Sequence, residues 1–139
     1  MQFEEIINIS APIEKVYSLY SDVENWYKWD PDVKNSSIEG AFVTGAKGTL
    51  TPTKGPKAKI AFVQIVPGQS FTVESKLPLC TMFFEHEISE RDANSISVVH
   101  RVKFTGFLAP VFGRLIGSQI KKGLPDTLLG LKKAAENNG

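Results

Sequence analysis

The chain has 139 residues, 42% hydrophobic and 22% charged, with a net charge of +1 and one cysteine. That length is a prior for one domain, residues 1–139, with a core that needs no disulfide staples, and Cys80 alone excludes an internal disulfide or a cysteine-only metal site. The near-neutral balance leaves no basic excess to neutralise phosphates, so nucleic acid is not an expected partner.

The start Met1-Gln2-Phe3-Glu4-Glu5 lacks the basic opening and apolar run of a signal peptide, and no apolar run is long enough to span a membrane. With the lone cysteine, this fits a cytoplasmic protein in a reducing compartment. Phe3 to Ile9 is rich in β-formers and predicts a strand. Ser10-Ala11-Pro12 ends it and opens a helix, with Ser10 as N-cap, Pro12 in the first turn and Glu14 as an early acid. Ile13, Val16, Tyr17 and Tyr20 form that helix's apolar side. Ser21-Asp22 caps a second short helix through about Trp26, and Pro31 forces extended chain before it.

From Val33 the pattern changes. Ile38, Phe42, Leu50, Ile60, Phe62, Ile65, Phe71, Val73, Leu77, Phe83, Ile88, Ile96, Val98, Val102 and Phe104 sit in short runs. Gly40, Gly45, Gly48, Gly55-Pro56, Pro67-Gly68, Pro78 and Asp92-Ala93-Asn94 punctuate them. Strands at such spacing predict an antiparallel meander of six, seven with the first. Leu108 to Ala135 is the one long helical pattern. Phe112, Ile116, Ile120, Leu124, Leu128, Leu131 and Ala135 make its apolar stripe, and Arg114, Lys121, Lys122, Lys132 and Lys133 lie opposite. Gly123-Leu124-Pro125 predicts a kink, because proline removes a donor and crowds the carbonyl of Lys121. Gly113 and Gly117 precede it in a GxxxG spacing. Leu108 to Ile120 then reads as an adjustable wall, and Leu124 to Ala135 as a clamp.

Alternation assigns the strand faces. Phe71, Val73, Ser75 and Leu77 point inward, as do Phe84, His86 and Ile88, and Ile96, Val98, His100, Val102 and Phe104. A hairpin symmetric about Ala93 sets His86 opposite His100, Ile88 opposite Val98 and Phe84 opposite Val102, apolar against apolar. The two imidazoles are therefore expected as neighbours on the inner face. They are candidates for hydrogen-bonding a ligand carbonyl or hydroxyl, or for acid and base work, or are simply satisfied by backbone and water. A zinc site normally adds a third protein ligand, and no inward acid or cysteine is placed to supply it, so no metal is expected. Trp26, Tyr27 and Trp29 form an aromatic knot in which Trp29 is the candidate pocket residue. Cys80 has no base within reach and reads as a structural thiol. Lys47, Lys54, Lys57 and Lys59 read as a solvated loop.

Two stretches, Ile9-Ser10-Ala11-Pro12-Ile13-Glu14-Lys15-Val16-Tyr17 and Asp22-Val23-Glu24-Asn25-Trp26-Tyr27-Lys28-Trp29-Asp30-Pro31, resemble the START/Bet v 1-like (SRPBCC) superfamily. So do Gly106-Phe107-Leu108 and Leu128 to Glu136. Within the superfamily the likeness is to the polyketide cyclase/dehydrase and lipid-transport-like group, and it covers the whole chain. It implies an α+β helix-grip fold, a seven-stranded antiparallel sheet wrapped around a long C-terminal helix, with two short helices between strands 1 and 2. No Rieske ligands are present, and no cofactor is expected. The superfamily includes carriers of lipids and sterols, aromatase/cyclases and co-chaperone modules. The expected function is binding of a small hydrophobic ligand, lipid-, polyketide- or aromatic-like, between sheet and helix. Its wall would be Phe62, Phe71, Leu77, Phe84, Phe104, Phe112, Ile116 and Ile120, with Trp29 at the mouth and His86 and His100 as polar contacts. A cyclase/dehydratase-type enzyme using those histidines, or an interaction module with a collapsed cavity, are the alternatives.

Overall fold

Seven strands pair into one antiparallel sheet in the computed structural model, which describes residues 1–137. They are β1 (Gln2–Ile9), β2 (Val33–Ile38), β3 (Lys47–Pro52), β4 (Ala58–Val66), β5 (Ser70–Leu77), β6 (Cys80–Asp92) and β7 (Ser95–Thr105). Their order across the sheet is β1-β7-β6-β5-β4-β3-β2. Strands β2 to β7 are hairpin neighbours, and β1 closes against the last of them. Between β1 and β2 lie α1 (Ile13–Ser21) and a 3-10 helix (Val23–Lys28); after β7 come α2 (Ala109–Leu115) and α3 (Gly117–Glu136). This is the α+β architecture expected, a curled sheet gripping C-terminal helices.

The pleat sorts the side chains as their alternation predicts. In β7 Ile96, Val98, His100, Val102 and Phe104 are all buried. Strict alternation fails in β4, where Ile60, Phe62 and Ile65 are buried together. A bulge between Phe62 and Gln64 resets the parity and turns Val63 outward. Similar irregularities fall between Val33 and Asn35 and between Glu90 and Asp92, and they help the sheet to bend. On the outer face Arg101 of β7 holds Glu4 of β1 at 2.6 Å and Glu85 and Glu87 of β6 at 2.7 and 3.0 Å. One guanidinium thus laces three strands.

Several local expectations need correction. Ser10 does not cap α1; Pro12 stands at the N-cap, with no side-chain capping bond. The Ser10 N–H instead donates to the Glu136 carboxylate at 2.7 Å, because the end of α3 packs there. The second short helix is a 3-10 helix running to Lys28, and the Asp22 carboxylate accepts from the Asn25 side-chain amide rather than from backbone. Phe42 is not on a strand. It lies in the β2–β3 connection and packs edge-on against Tyr17, Phe62 and Phe71.

The long C-terminal helix breaks at Ile116, not at Pro125, which lies inside α3. The reason is close approach. Met1 lies against the missing side chain of Gly113 and the Phe3 ring against that of Gly117. The chain turns where β1 presses in. Further along, the Trp29 carbonyl lies against Gly130 and the Asp32 carboxylate against Gly123. Lys132 then reaches the Asn8 carbonyl at 2.9 Å, so α3 follows β1 along its length.

The interior forms two clusters. One gathers Tyr20, Trp26, Trp29, Phe62, Phe71, Ile96, Leu128 and Leu131 beneath β3–β5, α1 and the second half of α3. The other gathers Cys80, Met82, Val102, Phe104, Ala109 and Leu124 beneath β6, β7, α2 and the start of α3. Phe84 touches both.

Candidate functional site

The polar residues of the inner face meet where the two clusters join. His86 of β6 and His100 of β7 are directly paired, and so are Ile88 with Val98 and Phe84 with Val102, the register that the hairpin symmetry predicts. The rings lie 4.6 Å apart, nearly perpendicular. His86 stacks on Phe71 at 3.8 Å, 4° from parallel.

Each histidine has a partner that fixes part of its chemistry. His100 Nε2 lies 2.7 Å from the Tyr20 hydroxyl. Tyr20 comes from α1 and is fully buried. It was legible only as part of an apolar helix face, although a buried phenol needs a hydrogen-bond partner and inward histidines are the natural ones. His86 Nδ1 lies 3.1 Å from the Phe71 carbonyl. A carbonyl only accepts, so Nδ1 carries the proton and donates. A neutral His86 then presents Nε2 as a lone pair.

The histidines are neutral near pH 7. Burial pushes His86 down to about 4, against the opposing pull of hydrogen bonds to the Phe71 and Phe84 backbone and of the Glu85 charge. Burial, with repulsion from His86, holds His100 well below the usual histidine range. Burial also raises the Tyr20 phenol well above its ordinary value, so it stays protonated. Tyr20 and His100 thus form an uncharged hydrogen-bonded pair, with the neutral His86 ring edge-to-face beside it, inside an apolar shell.

Glu5 of β1 pairs with His100 in register and shares the inward side of its strand with Phe3, Ile7 and Ile9. It is an acid on the inward side that the sequence reading did not single out. Among the described residues, however, no three His, Cys, Asp or Glu side chains are grouped to hold a metal ion. Asp30 is a second acid that sequence reasoning passed over. It follows Trp29 and accepts from Thr127 Oγ1 at 2.9 Å and from the Asp32 N–H at 3.0 Å. Burial pushes its carboxyl up to about 6 despite both bonds.

The residues read as a ligand wall divide between the clusters. Leu77, Phe84, Phe104, Phe112, Ile116 and Ile120 come together in the cluster under α2, joined by Phe3 and Leu108, which the sequence did not single out. Phe62, Phe71 and Trp29 pack in the other. There Trp26 donates its indole N–H to the Tyr20 carbonyl at 2.9 Å. Trp29 Nε1 is buried and, among the described residues, has no acceptor. Cys80 is buried among apolar neighbours.

Both clusters have a sealed centre and a partly buried rim. In the first, Val16, Tyr20, Phe62, Phe71, Ile96 and Leu131 are sealed from solvent, while Ile7, Ile13, Tyr17, Leu19, Ile38, Phe42 and Leu50 keep some surface. In the second, Val102 and Phe104 are sealed, while Phe3, Leu77, Phe84, Leu108, Phe112, Ile116 and Ile120 keep some surface. A shallow hollow of about 350 Å³, largely open to solvent, lies at the end of this half, beside Leu77, Cys80 and Phe107. It does not reach the histidines.

Fold and site together define a helix-grip α+β protein with neutral polar groups gathered inside an apolar interior. The family model described as polyketide cyclase / dehydrase and lipid transport matches residues 1–136, and the chain belongs to that family. A search of the curated proteins gives no match. Among solved structures, truncated norcoclaurine synthase from Thalictrum flavum is 13% identical, with a TM-score of 0.77 over 100% of this chain and 95% of that one. The same enzyme in complex with dopamine and hydroxybenzaldehyde is 14% identical, TM-score 0.73, covering 96% and 84%. The Zhui aromatase/cyclase from Streptomyces sp. R1128 is 15% identical, TM-score 0.77, covering 98% and 93%. At these identities the likeness shows the fold alone.

Proposed function

We propose that the protein binds a small hydrophobic molecule, aromatic or polyketide-like in character, between the inner faces of β6 and β7 and the helices α2 and early α3. The observation that carries this reading is the pair of neutral imidazoles, His86 and His100, set side by side on an otherwise apolar inner face. Phe84, Phe104, Phe112, Ile116 and Ile120 supply the apolar wall. His86 and His100 stand at its inner end, where His86 Nε2 accepts from a ligand hydroxyl or N–H. The break at Ile116 lets α2 move apart from α3 without unwinding either, which supports Leu108 to Ile120 as the adjustable wall. Family membership, and small aromatic molecules on one structural relative, point to the same ligand class.

Native mass spectrometry of the purified protein tests the reading, with naphthol-type probes added in turn. We expect a one-to-one adduct, weakened about tenfold when Ile120→Trp fills the gap. A chain that carries no adduct under any of these conditions contradicts it and favours the interaction-module alternative.

A second reading, catalysis of the cyclase/dehydratase kind, is favoured by the neutral His86 beside the Tyr20–His100 pair, its free Nε2 lone pair taking a proton from a bound polyketide-like substrate. Its mark is loss of turnover in His100→Ala or His86→Phe with product binding retained. A pure carrier keeps most of its affinity, losing about 1–2 kcal/mol for an unpaired polar contact.

A further inference from the structure

We propose that the end of the molecule formed by the β5–β6 turn, the β7–α2 connection and the outer side of α2 docks on an anionic lipid bilayer. The surface is separate from the inner cleft and stands whether or not that cleft takes a ligand. Four large apolar side chains there face water: Leu79 is 68% exposed, Phe107 85%, Leu115 69% and Val111 48%. Single exposed apolar residues are ordinary, but a cluster marks an interaction site. These do cluster. The Leu79 carbonyl accepts the Leu108 N–H at 2.9 Å, and a Cβ on Gly106 would lie 2.8 Å from the same carbonyl. The two loops are therefore braced together with Phe107 at their junction. Val111 and Leu115 follow on one side of α2, a turn apart. Met1, also exposed, lies against Gly113 of the same helix.

Leu79 is costly twice over. Its φ of 53° is a conformation that glycine or asparagine takes more readily, and its side chain is turned to water. The two-residue Pro78-Leu79 turn between paired Leu77 and Cys80 requires that φ, but not an apolar side chain in water, and it is the exposed side chain that points to a partner outside the fold. A braced tip also loses little freedom when it inserts.

Charge selects the partner. The β5–β6 turn with its flanks (residues 76–81) and the β7–α2 connection with α2 (residues 105–115) contain Lys76 and Arg114 and no acid. Neither cation makes an ion pair among the described residues. The hollow at the tip sets Lys76 near Leu79 and Phe107. An apolar tip with Lys76 beside Leu79 and Phe107 and Arg114 on α2 matches a bilayer interface, with side chains at the acyl boundary and cations at headgroup phosphates. A two-fold contact with a second copy would instead press the same cations together.

Co-sedimentation with vesicles of phosphatidylcholine, alone or mixed with phosphatidylserine, tests this. The intact protein is expected to partition onto the mixed vesicles and to come off in high salt. The double substitution Leu79→Asp/Phe107→Asp should lower partitioning at least about tenfold, and Val43→Asp, at an exposed apolar site elsewhere, should not. Leu79→Asn separates docking from folding, because it should raise thermal stability by relieving the backbone while weakening the partition. The proposal is overturned by no partition onto mixed vesicles, by partition indifferent to the double substitution, or by a dimer in sedimentation velocity that the double substitution dissolves.

Discussion

Tyr20 is the residue on which the polar interior turns. Its ring lies between Trp29, Phe71 and His86, and its hydroxyl satisfies His100. Tyr20→Phe leaves His100 Nε2 buried without that partner, and a loss of about 1–3 kcal/mol in denaturant unfolding is expected. The same groups set the pH response. His86 is held near 4 when folded, against 6.5 otherwise. The unfolded chain therefore takes up a proton first as pH falls. The stability is present above 6.5 and lost on the way down to 4, about 2 kcal/mol of it by about pH 5. Asp30 acts in the opposite sense. Its folded value is raised from 3.8 to about 6, so its contribution is present at low pH and lost as pH rises through about 6. Unfolding measured near pH 7.5 and pH 5 should show a smaller acid loss in His86→Gln than in the parent. Asp30→Asn should show a loss larger than the parent's by about 1 kcal/mol.

At the scale of elements, the glycines of α2 and α3 are where strand and loop come closest. In an exposed helix, glycine to alanine gains about 1 kcal/mol. At Gly130 the sign should reverse, because a methyl would collide with the Trp29 carbonyl, which is backbone and cannot turn aside. Gly130→Ala is expected to lower stability by about 1–3 kcal/mol, read as a fall in melting temperature. This is also where sequence and structure part. The spacing of Gly113, Gly117 and Gly123-Leu124-Pro125 announced an unusual helix. Whether a glycine marks a kink or a close approach depends on the element opposite, and local sequence does not name that element. Strand faces were legible because a period of two needs no partner to be read. The β4 bulge was not, since a single extra residue looks the same as a loosened pattern.

For the whole molecule, the antiparallel meander from β2 to β7, the paired histidines and the apolar inner face followed from alternation and turn residues. Tyr20 and Glu5 did not, because each joins the site through a long-range packing choice: Tyr20 reaches His100 from α1, and Glu5 reaches the row through the β1–β7 pairing. Whether the inner apolar face lines a ligand site or is plain core was also out of reach, since lining and core residues need the same apolar side chains. That a ligand lies against the inner face of β6 and β7 is the central claim. Two-dimensional amide NMR of the protein titrated with a naphthol-type probe tests it most directly. Saturable shifts gathered on Phe84, His86, His100, Val102, Phe112, Ile116 and Ile120 are predicted. Shifts that fail to saturate, or that spare these residues while moving Phe62 and Leu131, would contradict it.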